Sequence, residues 1–147
     1  MADEKLIDIV NRASRGQYYL PEIQRGFVWK PEQVRKLCDS LYKDYPTGMV
    51  LLWDSPEYVE PRIGAPNGLR QPLWIVDGQQ RVTTLCLLFG QRPYWYGPED
   101  WSQLVRKNRI FMNIDPNNGA VEFSGRGHGV GVSVPQVLSK ERASRHH

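Results

Sequence analysis

Residues 75–85 have the sequence Ile-Val-Asp-Gly-Gln-Gln-Arg-Val-Thr-Thr-Leu, in which a polar turn separates two apolar stretches. The apolar run at 73–76 is typical of a buried strand. The apolar spacing over 82–89 predicts a helix that ends at Gly90. Between the two lies Gly78, which permits a tight turn that residues with a Cβ resist. Strand, glycine turn and helix together favour an anion site, because the first N–H groups of a helix have no partner within it.

The polar residues of this turn suggest phosphate chemistry. In the first helical turn, the planar guanidinium of Arg81 suits charge-assisted bonds to phosphate oxygens. Gln79 and Gln80 can orient a water molecule or donate to the same oxygens. Asp77 would repel a bare phosphate, so its useful roles are to hold Mg²⁺ or to accept a proton from an attacking water. The alternative is that Asp77 only caps the helix and that the glutamines form a solvated first turn.

Other elements alternate around this turn and predict a mixed α/β fold with a small mixed sheet flanked by helices. The apolar spacing predicts helices near 6–13 and 31–45, and a short helix from about residue 99. Apolar runs predict strands at 17–20 and 49–53, and an antiparallel pair at 109–114 and 120–123. Residues 132–139 are typical of a strand followed by the start of a helix. The proline- and glycine-rich residues 54–72 favour a loop.

A second polar stretch, residues 20–29, combines Gln24 and Arg25 with aromatic side chains in an extended segment. Arg25 could reach phosphate while Phe27 or Trp29 stacks on a base. The alternative is that both aromatic residues are core side chains and that Arg25 pairs with an acidic neighbour.

In this order, the two stretches resemble the DUF262 domain, the N-terminal domain of GmrSD-like and SspE-like phage-defence proteins. The resemblance covers about residues 4–124. It rests on the Leu-Pro-x-x-Gln-Arg-x-Phe-Val-Trp block at 20–29, on Tyr-Pro-x-Gly at 45–48, and on Val-Asp-Gly-Gln-Gln-Arg-x-Thr-Thr-Leu at 76–85.

The resemblance implies a ParB/sulfiredoxin-like fold that binds, and in this family hydrolyses, a nucleoside triphosphate (GTP, UTP, CTP or ATP) with Mg²⁺. Hydrolysis would be coupled to restriction of phage DNA that carries modified bases or a modified backbone. The resemblance also implies that the turn from Gly78 to Arg81 holds the nucleotide phosphates. The chemistry of phosphoryl transfer then predicts catalytic roles for Asp77, Gln79, Gln80 and Arg81, with Asp77 also as the metal ligand. The nucleotide site would comprise Gln24, Arg25, Gly78, Gln79, Gln80, Arg81 and Thr83.

The family's DNA cleavage is attributed to a separate HNH-type nuclease domain or subunit, so we expect the chain to reach DNA through the full-length protein or a partner. His128, His146 and His147 are its only histidines and are poor candidates for nuclease residues. We predict a nucleotide-binding domain at 1–124, followed at 125–147 by a glycine-rich connector and a truncated or tag-like end.

Two other functions remain open. A ParB-like module could sense DNA directly, without NTPase activity, through Arg62, Arg70, Arg106, Lys107 and Arg109. The chain could instead be an interaction subunit that recruits a nuclease through exposed aromatic side chains, for which the candidates are Tyr94, Trp95, Tyr96 and Trp101.

Charge and composition limit the classes of protein to which the chain can belong. Lys and Arg balance Asp and Glu over residues 1–124, and the whole excess of the +3 net charge follows residue 124, so the body is not a basic DNA-binding block. No apolar run approaches the ~20 residues that span a bilayer, and the acidic N-terminus is unlike a secretory signal, so we expect a cytoplasmic protein, either monomeric or oligomeric. Cys38 and Cys86 lie in apolar helix patterns and are expected to be buried thiols.

Overall fold

The computed structural model describes residues 5–20, 26–48, 50–54, 73–127 and 130–144. Five helices and six strands are interspersed along these ranges. The helices are α1 (Leu6–Ser14), α2 (Pro31–Tyr42), α3 (Gln79–Phe89), α4 (Pro98–Lys107) and α5 (Val134–Ser144). The strands are β1 (Tyr18–Tyr19), β2 (Leu51–Asp54), β3 (Leu73–Asp77), β4 (Phe111–Ile114), β5 (Val121–Ser124) and β6 (Val130–Ser133). The predicted mixed α/β class is confirmed.

The first sheet has the strand order β1-β3-β2 and contains both strand directions. β1 runs parallel to β3, whereas β2 is antiparallel to it, with Leu52 opposite Ile75. Ile75 is fully buried at the centre of this sheet. Because β3 is the central strand, the polar residues that follow it emerge from the middle of the sheet and not from its edge.

The second sheet has the order β5-β4-β6, and all of its pairs are antiparallel. Met112 of β4 lies opposite Phe123 of β5 on one side and Val132 of β6 on the other. The predicted pair is therefore confirmed, and β6 adds a third strand. Val130 and Gly131 belong to β6, although the glycine-rich sequence predicted a flexible connector there.

Helix α3 is the centre of the core, in contact with α1, α2 and α5. Every residue from Val82 to Leu88 is buried, so this helix is covered on all sides, as expected for a helix inside a domain. It ends at Gly90, whose φ of +67° permits its N–H to bond the carbonyls of Cys86 and Leu87. The predicted helix and its stop are confirmed.

The remaining sequence predictions hold in type and differ at boundaries. α2 begins at Pro31, the first-turn position that proline favours, and α4 begins at Pro98 in the same way. Asp54, predicted to open a loop, instead ends β2, and the rest of that predicted loop lies outside the described residues. α5 packs against α3, and the division of the chain at residue 124 stays a prediction.

Within the described part of the chain, none of the helices is both long and apolar enough to cross a membrane.

Candidate functional site

The polar turn at the end of β3, residues 77–81, has the geometry of an anion site. Gly78 adopts a φ of +99°, in the left-handed region, and is the residue that caps α3. Its carbonyl accepts the first helical hydrogen bond, from the N–H of Val82 at 3.0 Å. No side chain caps the helix, and the N–H groups of Gln79 and Gln80 have no acceptor within the described residues. Among the residues described, these two donors at the positive end of the α3 dipole are left for a ligand.

Asp77 is exposed beside these donors. Its Oδ1 accepts a hydrogen bond from the N–H of Gly78 at 2.9 Å. The alternative in which Asp77 only caps the helix is wrong, because the capping residue is Gly78 and the carboxylate bonds that residue's own N–H. The second oxygen, Oδ2, has no partner among the described residues. It is available to a cation or to a water proton.

The guanidinium of Arg81 is held over the segment that leads to β2. Its Nε donates to the carbonyl of Thr47 at 3.1 Å. Gly48 lies beneath the guanidinium, so closely that a Cβ at that position would be 2.8 Å from Cζ, Nε and Nη2 of Arg81. Gly48 also has a φ of +92°. A residue without a side chain is needed at position 48 for the guanidinium of Arg81 to keep this position.

Gln80 joins the turn to the extended segment 26–29. Its Oε1 accepts from the N–H of Val28 at 2.9 Å and from that of Trp29 at 3.3 Å, and its Nε2 donates to the carbonyl of Gly26 at 3.0 Å. Both ends of the amide thus bond to backbone, an arrangement we call the Gln80 clamp. Its predicted role in positioning the nucleophile stays a prediction.

Gln79 and Thr83 face inward. Gln79 is only 6% exposed, and its Oε1 is buried without a hydrogen-bond partner among the described residues. A buried acceptor left unpaired costs free energy, so a donor at this position would stabilise the site. Thr83 is 1% exposed within α3. Its predicted contact with nucleotide stays a prediction.

Other predicted residues are placed as follows. Gln24 and Arg25 lie outside the described residues, as do Arg62, Arg70 and the three histidines. Phe27 packs against the core, which favours the core interpretation of that residue over base stacking. The prediction that four aromatic residues form an exposed partner surface is wrong. Trp95 and Trp101 are buried, and Tyr94 and Tyr96 pack against the core.

Thr47 and Gly48 were not predicted as site residues. The stretch Pro-Thr-Gly at 46–48 predicts the end of a helix and is part of the Tyr-Pro-x-Gly motif of the resemblance, but neither signal predicts a contact with Arg81. That its last two residues meet Arg81 depends on the packing of β2 against β3.

A metal centre built from protein ligands alone has no support in the described ranges, where no group of three or more His, Cys, Asp or Glu side chains could hold a metal ion. The predicted role of Asp77 as a metal ligand stays a prediction.

Comparison with known proteins identifies the family to which the chain belongs. The family model described as the N-terminal domain of the GmrSD restriction endonuclease matches residues 6–126. An uncharacterized protein of Methanocaldococcus jannaschii is 35% identical over 95 residues, which cover 56% of this chain and 16% of that protein. The chain thus spans a small part of this relative's length. No solved structure matches the chain significantly.

Proposed function

Because the chain belongs to the family of GmrSD restriction endonuclease N-terminal domains, we propose that it is a nucleotide-binding regulatory domain that binds a nucleoside triphosphate with Mg²⁺ and hydrolyses it slowly. Membership of this family implies that the chain is a module of a restriction system. The nucleotide, its hydrolysis and the control of a nuclease are the parts that we add.

The observation that carries the proposal is that two N–H donors at the N-terminus of α3, those of Gln79 and Gln80, have no acceptor among the residues that the structure describes. Phosphate suits this position because backbone donors and the helix dipole both favour negative charge. The left-handed φ of Gly78, +99°, gives the turn a conformation that residues with a Cβ rarely adopt.

Arg81 supplies the positive charge. The hydrogen bond from its Nε to Thr47 fixes the orientation of the guanidinium, so less side-chain entropy is lost when phosphate binds. We assign its Nη atoms to the phosphate oxygens, where charge-assisted bonds are about twice as strong as neutral ones.

Asp77 has the acid–base or metal role. In hydrolysis, the oxygen of a water molecule attacks the γ-phosphorus, and the bond from that phosphorus to the β–γ bridging oxygen breaks. The nucleoside diphosphate is the leaving group, and the γ-phosphorus with its new oxygen becomes inorganic phosphate. Asp77 either receives the proton of the attacking water or holds Mg²⁺ against the phosphates. Positioning and charge stabilisation dominate this kind of reaction, so these groups suffice for a slow rate.

DNA cleavage belongs, in this proposal, to an HNH-type nuclease domain or subunit that the nucleotide state of this domain controls. The proposal is supported by the name of the family, a restriction endonuclease of which this is the N-terminal domain.

Isothermal titration of the chain with ATP, GTP, CTP and UTP, with and without Mg²⁺, tests the proposal. We expect at least one nucleotide to bind, and Arg81→Ala to weaken that binding by more than about tenfold. The matched control is Arg92→Ala, an exposed arginine whose Nη1 donates to the carbonyl of Tyr96. Circular dichroism checks that both variants fold. If none of the four nucleotides binds, or if Arg81→Ala binds like the control, the nucleotide site is wrong and direct DNA sensing becomes the better hypothesis.

A further inference from the structure

Three segments that contact the 77–81 turn each carry a large exposed apolar side chain. These are Val28, Tyr45 and Leu51, and each is more than half exposed. The N–H of Val28 is bonded to a side chain of the turn, and Leu51 lies opposite the first residue of the turn across the β2–β3 pair. Tyr45 precedes by two residues the carbonyl that accepts from Arg81. Apolar groups around a few charged ones suit a ligand that has both an apolar and an ionic part.

Tyr45 is the aromatic member of this set. It is 60% exposed, so its ring is available to a ligand. Its backbone is fixed nonetheless, because its N–H donates to the carbonyl of Ser40 at 2.8 Å, directly after Asp44 with a φ of +58°. Pro46 follows, and a proline restricts the conformation of the residue before it. Binding at Tyr45 therefore does not require the order of a mobile backbone to increase, which would cost affinity.

The orientation of Arg81 indicates where the rest of a nucleotide lies. Its side chain extends from α3 to the carbonyl of Thr47, over Gly48. Phosphates bound to Arg81 would then lie between the N-terminus of α3 and residues 45–48. The sugar and the α-phosphate separate a base from the β- and γ-phosphates, so the base belongs beside this cation and not in contact with it. Tyr45 meets that condition, because two residues of chain span at most about 7 Å.

We propose that Tyr45 stacks on the base of the bound nucleotide. The inference rests on the proposed function and names the residue of the same site that distinguishes a nucleotide from a simple polyphosphate. Phe27, which the sequence offered for stacking, packs against the core. Every base has a π-face, so stacking on Tyr45 favours all four nucleotides over polyphosphate and does not select among them.

Two probes separate the base from the phosphates: the nucleoside triphosphate that binds most tightly, and inorganic tripolyphosphate, which has no base or sugar. Calorimetric titration with Mg²⁺ measures both dissociation constants. We expect Tyr45→Ala to weaken the nucleotide by about tenfold and to leave tripolyphosphate unchanged, which also shows that the variant is folded. Tyr45→Phe keeps the ring and should bind both probes like the wild type. The matched control is Tyr42→Ala, a tyrosine of α2 that is 57% exposed and whose ring contacts Phe123.

The outcomes separate the stacking role from the nucleotide site itself. Stacking is wrong, and the nucleotide site stands, if Tyr45→Ala binds the nucleotide as tightly as Tyr42→Ala does. It is also wrong if Tyr45→Ala weakens both probes equally, or if the wild type binds tripolyphosphate as tightly as the nucleotide. If the wild type binds neither probe, the proposed function is wrong and the stacking role is wrong with it.

Discussion

The backbone N–H of Val28 donates to Oε1 of Gln80 across 52 residues of sequence, at 2.9 Å. Together with the bond from Gln80 Nε2 to the carbonyl of Gly26, it ties the extended segment 26–29 to the first turn of α3. Residues 26–29 continue directly from Gln24 and Arg25, the other predicted part of the nucleotide site. The Gln80 clamp thus links the two sequence blocks on which the family resemblance depends.

Gln80→Ala should destabilise the fold by about 1–2 kcal/mol, because it removes three hydrogen bonds and leaves backbone groups of residues 26–29 without their partner. The free energy of unfolding in urea measures the effect. Gln103→Ala, an exposed glutamine of α4, is the control and should change stability by less than about 0.5 kcal/mol. Equal stabilities for the two variants would show that the clamp contributes nothing.

Gly48→Ala should reduce nucleotide binding through Arg81. Its new Cβ would lie 2.8 Å from the guanidinium, so Arg81 must move away from Thr47. Gly119→Ala is the control, because Gly119 also has a positive φ, +71°, but nothing lies within 4 Å of the added Cβ. Both variants should lose about 1 kcal/mol of stability, and only Gly48→Ala should bind nucleotide more weakly. Equal affinities would contradict the role assigned to Gly48.

The sequence predicts local elements well because their signals are local. The apolar run before Asp77, the glycine that follows it and the stop at Gly90 all lie within one segment, and the structure has the strand, the turn and the helix there. The contact of Thr47 with Arg81 and the Gln80 clamp join segments that are 34 and 52 residues apart. Such contacts depend on how distant segments pack together, and a local sequence pattern does not predict that packing.

β6 shows the same limit in another form. The strand predicted from Val132 begins two residues earlier, because Val130 and Gly131 also pair with β4 although the glycine-rich sequence before Val132 favours a connector.

Trp101→Ala should destabilise the fold by about 3–5 kcal/mol, as expected for a large side chain removed from a core. Trp101 is 9% exposed and packs beside Tyr96, with ring centroids 5.9 Å apart. Trp53→Ala is the comparison, since Trp53 is 51% exposed on β2, and should cost less than about 1 kcal/mol. Thermal or urea unfolding distinguishes the two. If Trp101→Ala loses little stability, Trp101 is not a core residue and is again a candidate for the partner surface.

Stability should fall above pH 9 because of Cys86. Burial raises the pKa of this thiol from its ordinary value of 9.0 to about 12. Between these values the unfolded chain releases the thiol proton while the folded chain keeps it, so rising pH favours unfolding, by about 1 kcal/mol at pH 10. Burial also raises the pKa of Cys38 to about 12, so urea unfolding at pH 8 and pH 10 should show a loss of stability in both chains that is smaller in Cys86→Ala by about 1 kcal/mol. The same pH dependence in both would contradict it.

The most direct test of the nucleotide site is to follow the backbone amides of Gln79 and Gln80 in the ¹⁵N-labelled chain while the nucleotide selected by calorimetry is added with Mg²⁺. Hydrogen bonding of these donors to phosphate predicts large, saturable downfield shifts of both amide protons, with the same dissociation constant that calorimetry gives. Saturable binding that leaves both amides unchanged would contradict the account, because the ligand would then lie away from the N-terminus of α3.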